Sequence, residues 1–144
     1  MTNIRILFFC WMLFVSNLIS LLAHEESPSV ELLSQSSVSW DRAIIESYPS
    51  DNPEILVKKI TMPVGYTTPI HKHPNPMAVY VIKGEIEIVN EQGDSRKFSE
   101  NEVLIASVDS WHIGRNIGSV PAEIVTFYMG TIDGEPMRIL KSED

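Results

Sequence analysis

Two of the four histidines in the chain stand one residue apart in PIHKHPNPMAVYVIKGE, residues 69–85. In an extended backbone residues i and i+2 share a face, so His71 and His73 would aim both imidazoles into one space. Imidazole suits zinc, copper, iron and nickel, which makes such a pair a natural half of a metal site. Alone, a His-x-His reads more simply as an accident at an exposed strand end, and its surroundings must decide. No other chemistry competes: there is no Ser-His-Asp order and no phosphate loop, and the only cysteine is Cys10, near the N-terminus.

The elements that would hold these side chains are strands. After residue 50 the apolar residues follow a period near two, and 54–62, 77–83, 85–90, 102–107 and 122–130 each read as short strands rich in Ile and Val. Turn signals separate them at Gly65, Pro74-Asn75-Pro76, Lys83-Gly84, Asn90 to Asp94 and Gly118. No stretch there has a helical period, and the pattern is that of an all-β sandwich or small barrel. Upstream, 41–47 reads as a short helix or turn and 48–54 as a loop, while 24–39 is a Ser- and Glu-rich spacer.

Around the histidines, Gly65, His71, His73, Met77 and Gly84 are spaced as in the first motif of the cupin superfamily, G-x5-H-x-H-x3-E-x6-G, except that Met77 stands at the glutamate. NEVLIASVDSWHIGRN, residues 101–116, resembles the second motif, G-x5-P-x-G-x2-H-x3-N, through His112 and Asn116. There Asn101, Ser107 and Asp109 replace the two glycines and the proline. The 16 residues between the motifs suffice for one hairpin. The resemblance covers residues 55–130, and the chain is also similar to a group of small exported bacterial cupins. It implies a single double-stranded β-helix barrel, jelly-roll-like, with a metal in its mouth and with His71, His73 and His112 as the metal ligands. The domain expected is 40–144, with its core at 55–130.

Without the carboxylate, three neutral imidazoles leave the charge of a divalent ion uncompensated, so the site should favour a ligand bringing its own negative charge. The cofactor expected is one divalent first-row transition metal, iron first, with zinc, nickel, copper or manganese open. Met77 is either an apolar lining residue or a weak thioether ligand that would bias the site to copper. Asn116 either bonds near the site or makes an Asn-x-Gly turn; Trp111 and Tyr80 read as packing residues, and Arg115 falls on the face opposite His112. Tyr66, Thr67 and Thr68 are expected to point inward. Proton competition for the imidazoles would begin near their free pKa of about 6.5.

Residues 1–23 read as an export signal, with Arg5, an apolar run from Ile6 to Val15 and a c-region ending at Ala23. An uncleaved anchor is the alternative, although Ser16, Asn17 and Ser20 interrupt the run. The large Phe8 and Phe9 before Cys10 argue against a lipoprotein. Export would place the protein in the periplasm or outside the cell. The whole chain carries 11 basic and 19 acidic residues, and cleavage would remove Arg5 and no acid. Such a charge makes nucleic acid and, after cleavage, a membrane poor partners. The partner expected is a small anionic metabolite, with a homodimer the assembly left open. Two functions follow: an oxygen-dependent, dioxygenase-like oxidoreductase, favoured over a lyase or isomerase, and a non-catalytic binder of a small molecule or metal. No catalytic residue beyond the metal ligands is identifiable.

Overall fold

The apolar alternation of the sequence becomes nine strands in a computed structural model that describes residues 27–139. They are β1 (Pro53–Met62), β2 (His71–Lys72), β3 (Met77–Lys83), β4 (Glu85–Asn90), β5 (Ser95–Ser99), β6 (Val103–Ile105), β7 (His112–Asn116), β8 (Ala122–Thr131) and β9 (Arg138–Ile139). Among the described residues there is no helix, and so none long and apolar enough to cross a membrane. The expected export signal lies outside the described residues, and 27–31 are exposed and form no strand.

The strands make two antiparallel sheets, one ordered β1-β8-β3-β6 and the other β5-β4-β7-β2-β9. This is the double-stranded β-helix expected from the two motifs. Burial alternates as the period of two demands: Met77, Val79 and Val81 of β3 face the other sheet, as do Ile124, Thr126 and Tyr128 of β8. Ile86 and Ile88 of β4 and Phe98 of β5 meet them from the second sheet. Phe98, Ile86 and Val81 are the largest fully enclosed apolar side chains. Burying one such side chain contributes about 1.5–3 kcal/mol.

The chain changes sheets at Gly84, between β3 and β4. Its φ is +84°, and a Cβ there would lie 3.0 Å from the Ala122 Cα, so this corner requires glycine. β4 and β5 then form the hairpin expected between the motifs, with Glu85 opposite Ser99 and Val89 opposite Ser95. At its tip Asn90 Oδ1 accepts from the Asp94 N–H at 2.9 Å.

The second motif's missing glycines turn out to be no obstacle. Asn101 and Asp109 have φ of +69° and +54°, the left-handed conformation that Asn and Asp adopt more readily than other side chains. Asn101 is further held by the Tyr80 hydroxyl, which donates to its Oδ1 at 2.7 Å. Upstream, the region read as a helix or turn is a turn: Val38 bridges Ile44, and the Trp40 N–H donates to the Ile105 carbonyl at 3.0 Å.

Candidate metal centre

His71 and His112 stand directly opposite each other across β2 and β7, and that register brings their rings to 4.4 Å between centroids. His73 follows two residues on from His71 on the same face, with its ring 4.9 Å from His71 and 5.2 Å from His112. One ring nitrogen from each of the three lies within 4.8 Å of the others, a grouping that could hold a metal ion. All three residues are buried.

Hydrogen bonding fixes which nitrogen that is. His71 Nδ1 meets the Pro69 carbonyl at 2.9 Å, His73 Nδ1 the Pro136 carbonyl at 2.9 Å, and His112 Nδ1 the Ser110 carbonyl at 2.8 Å. A carbonyl only accepts, so each Nδ1 carries the proton and each Nε2 keeps its lone pair. Backbone carbonyls orient metal-binding histidines in this way. The donor set therefore fits a divalent transition metal: three neutral, pre-oriented imidazoles around one space. Thr68 supports His71 from the side, with its Oγ1 3.3 Å from Nδ1 and itself accepting from the Gly114 N–H at 2.9 Å.

Burial shapes the electrostatics. It pushes the pKa of all three histidines below the ordinary value of 6.5, and takes His73 to about 4, against a smaller upward effect of the Pro136 hydrogen bond. The imidazoles are thus neutral at physiological pH, and proton competition for them sets in below the 6.5 expected of free imidazole. Burial also raises the pKa of Tyr128, which stays a protonated phenol.

The histidines form part of the wall of a cavity of about 270 Å³, at the small end for ligand sites. Its remaining wall is mostly apolar, and Met77 belongs to it, confirming that this residue faces the space where the family motif carries glutamate. Of the three residues expected inward beside the motif, Tyr66 and Thr68 line the cavity while Thr67, between them, bridges outward to Arg115. Arg115 turns away, its Nε donating to Glu87 at 2.6 Å, and that ion pair holds the Glu87 carboxyl below the usual range.

Asn116 makes the turn expected of it and more. Its Oδ1 accepts from the Gly118 N–H, and its amide donates to the carbonyls of Met62 at 2.9 Å, Pro63 at 3.1 Å and Val120 at 2.9 Å, tying β1 to the loop before β8. Trp111 packs under the Lys72 ammonium, 5.2 Å from the ring centre.

Sequence reasoning missed Lys58, Thr126, Tyr128 and Met137, all of which line the cavity. The first three were accessible in principle, since they lie in the segments 54–62 and 122–130 read as strands. Met137 and the Pro136 carbonyl were not, because only the fold brings this segment against β2.

The family described as Cupin domain matches residues 58–128. No curated protein matches the chain. Among solved structures, a conserved protein with a double-stranded beta-helix domain from Klebsiella pneumoniae is similar at a TM-score of 0.52 and 20% identity, over 69% of this chain and 83% of that one. The polyketide cyclase RemF from Streptomyces resistomycificus is similar at 0.53 and 16%, over 66% of this chain and 65% of that one. The DMSP lyase DddQ from Ruegeria pomeroyi is similar at 0.51 and 18%, over 62% of this chain. This chain spans only 44% of the lyase. At these identities the likeness is one of fold. Together with the two motifs and the barrel they build, the match establishes that the chain belongs to the cupin superfamily.

Proposed function

We propose that His71, His73 and His112 ligate one divalent first-row transition metal, iron before zinc, nickel, copper or manganese. We further propose that the protein is an oxygen-dependent, dioxygenase-like oxidoreductase acting on a small anionic metabolite. The observation that carries the reading is the set of three Nδ1-to-carbonyl bonds, which leaves three Nε2 lone pairs at one end of an apolar cavity. Such an ion would supply Lewis acidity and open coordination positions for substrate and oxygen.

The chain's own groups do the rest. The apolar walls exclude water, and the carbonyls hold each imidazole in one tautomer. Tyr128 offers a hydroxyl that stays protonated. Among the described residues no carboxylate lines the cavity, which leaves Lys58 and the tyrosines as the side chains outside the histidines that could move a proton, and the lack of a carboxylate base favours oxygen chemistry over a lyase or isomerase. The same scarcity supports a second reading, a non-catalytic protein holding a small molecule or metal. The export signal read at 1–23 supports a site of action in the periplasm or outside the cell.

The test is the metal content of protein expressed with its own N-terminus and purified without a histidine tag. Near-stoichiometric iron, lost when all three histidines are replaced by alanine, is the expected result. Copper would implicate Met77. Metal retained in the triple variant would put the ligands elsewhere and sink the assignment.

A further inference from the structure

The cavity contains one permanent charge, and it is positive. Lys58 shares one face of β1 with Leu56, Ile60 and Met62, and although it is itself exposed it lines the same cavity as the three histidines. It stands opposite Thr126 in the register with β8, diagonal to Tyr128, and its Nζ lies 5.5 Å from the centre of the Tyr128 ring. That ring is in turn 5.7 Å from the ring of His73. Along one wall the order is therefore imidazole, phenol, ammonium.

Nothing within the described residues neutralises this ammonium. Lys58 has no ion-pair partner among the described residues, which is also true of Arg42, Lys83, Arg96 and Lys97, but Lys58 alone of these lines the cavity, and no carboxylate among the described residues lines it. In a chain whose formal net charge is -8, a lone cation beside an apolar pocket is a local reversal of sign. Because Lys58 is exposed, water screens its ammonium, and its pull on an anion is that of a surface lysine set beside the cavity.

We propose that Lys58 is the docking point for a second anionic group of the ligand, opposite the head that the histidine centre receives. The ligand class is then a small molecule with two oxyanionic ends joined by a short apolar body. One end is a metal-seeking carboxylate or enolate. The other is a carboxylate, sulfonate or phosphate at the ammonium, with the body lying on Tyr128 and the aliphatic wall of Ile60 and Met62. The inference rests on the metal reading above and adds the far end of the ligand to it.

The experiment titrates succinate, glutarate, adipate and pimelate, each beside the monoacid of equal carbon number, into zinc-loaded and metal-free protein by calorimetry. Zinc stoichiometry is measured separately. At least one diacid should bind more tightly than its monoacid, and Lys58→Met should weaken that diacid roughly 2- to 5-fold, the range for a solvent-exposed ion pair, while sparing the monoacid. Lys58→Arg should retain most of the preference. Lys59→Met, which removes an outward lysine paired with Glu123 at 2.6 Å, should change nothing. Equal affinity for diacids and monoacids, or equal losses in the Lys58 and Lys59 variants, with zinc still bound, would overturn the role of Lys58 alone. Failure to bind zinc would overturn the metal reading and this proposal with it.

Discussion

Removing protons from the acid side of the titration should show directly that His73 is held neutral by the fold. Burial lowers its pKa from 6.5 to about 4, so between those values the unfolded chain binds a proton that the folded one does not. A depressed folded-state pKa means stability that is complete above the unfolded value and lost as pH falls toward the folded one. For His73 alone this amounts to about 2 kcal/mol between pH 8 and pH 5, and about 3 kcal/mol by pH 4. His71 and His112 are shifted in the same direction and add to it. Carboxylates contribute little above pH 5, because the ordinary values for Asp and Glu lie at 3.8 and 4.5 and those of Asp41, Glu87 and Glu123 are lowered further. The assay is urea unfolding of chelator-treated protein across this range. The comparison is His73→Asn, whose amide can still donate to the Pro136 carbonyl but cannot be protonated. The variant should lose about 2 kcal/mol less than the parent between pH 8 and pH 5. Parallel curves for the two proteins would refute the claim that His73 is buried in neutral form.

Gly84→Ala should cost about 2 kcal/mol or more in chemical denaturation, since it combines a strained positive φ with a Cβ placed against the Ala122 backbone; a loss within experimental error would mean that the corner can relax. Asn116→Ala strips three carbonyls of their donor and should destabilise by about 2–3 kcal/mol, with the ring and ligand properties of the histidines untouched; a drop in metal affinity at unchanged stability would contradict its structural role. Met77→Glu places a carboxylate where the cavity already faces the imidazoles, so manganese should bind more tightly than in the parent and a simple chelating anion more weakly. Calorimetry on a folded variant checks both, and unchanged affinities would mean that the new side chain does not reach the centre.

Much of this was legible in the residues. β3 and β4 fall at the boundaries that alternation assigned them, because each has a strand on both sides within its sheet and turns apolar side chains toward the other sheet. β2, β7 and β9 were not read as strands: two of them are two residues long, and HIGRN in β7 alternates around a glycine and polar side chains that only the partner strands explain. The motif spacing located the three histidines, yet it could not say which nitrogen of each ring faces inward, since that depends on backbone carbonyls whose positions no side-chain pattern encodes. Asn101 and Asp109 looked like departures from the family's glycines. Read as conformations instead of residue types, they are conservative. Lys58 shows the opposite limit: its face of β1 followed from alternation, but a lysine among alternating apolar residues carries no sequence signal that the space before it is a cavity.

The bond from His73 to the Pro136 carbonyl joins positions 63 residues apart, whereas the corresponding bonds of His71 and His112 each reach only two residues back. This imposes an order in time. As the chain leaves the ribosome, two imidazoles can find their acceptors as soon as their own turns form, while the third has none until the segment that pairs as β9 with β2 has been made. A nascent barrel accordingly holds two imidazoles in place and a third that is still free to turn. The set of three oriented imidazoles is therefore complete only once the last strand has been added.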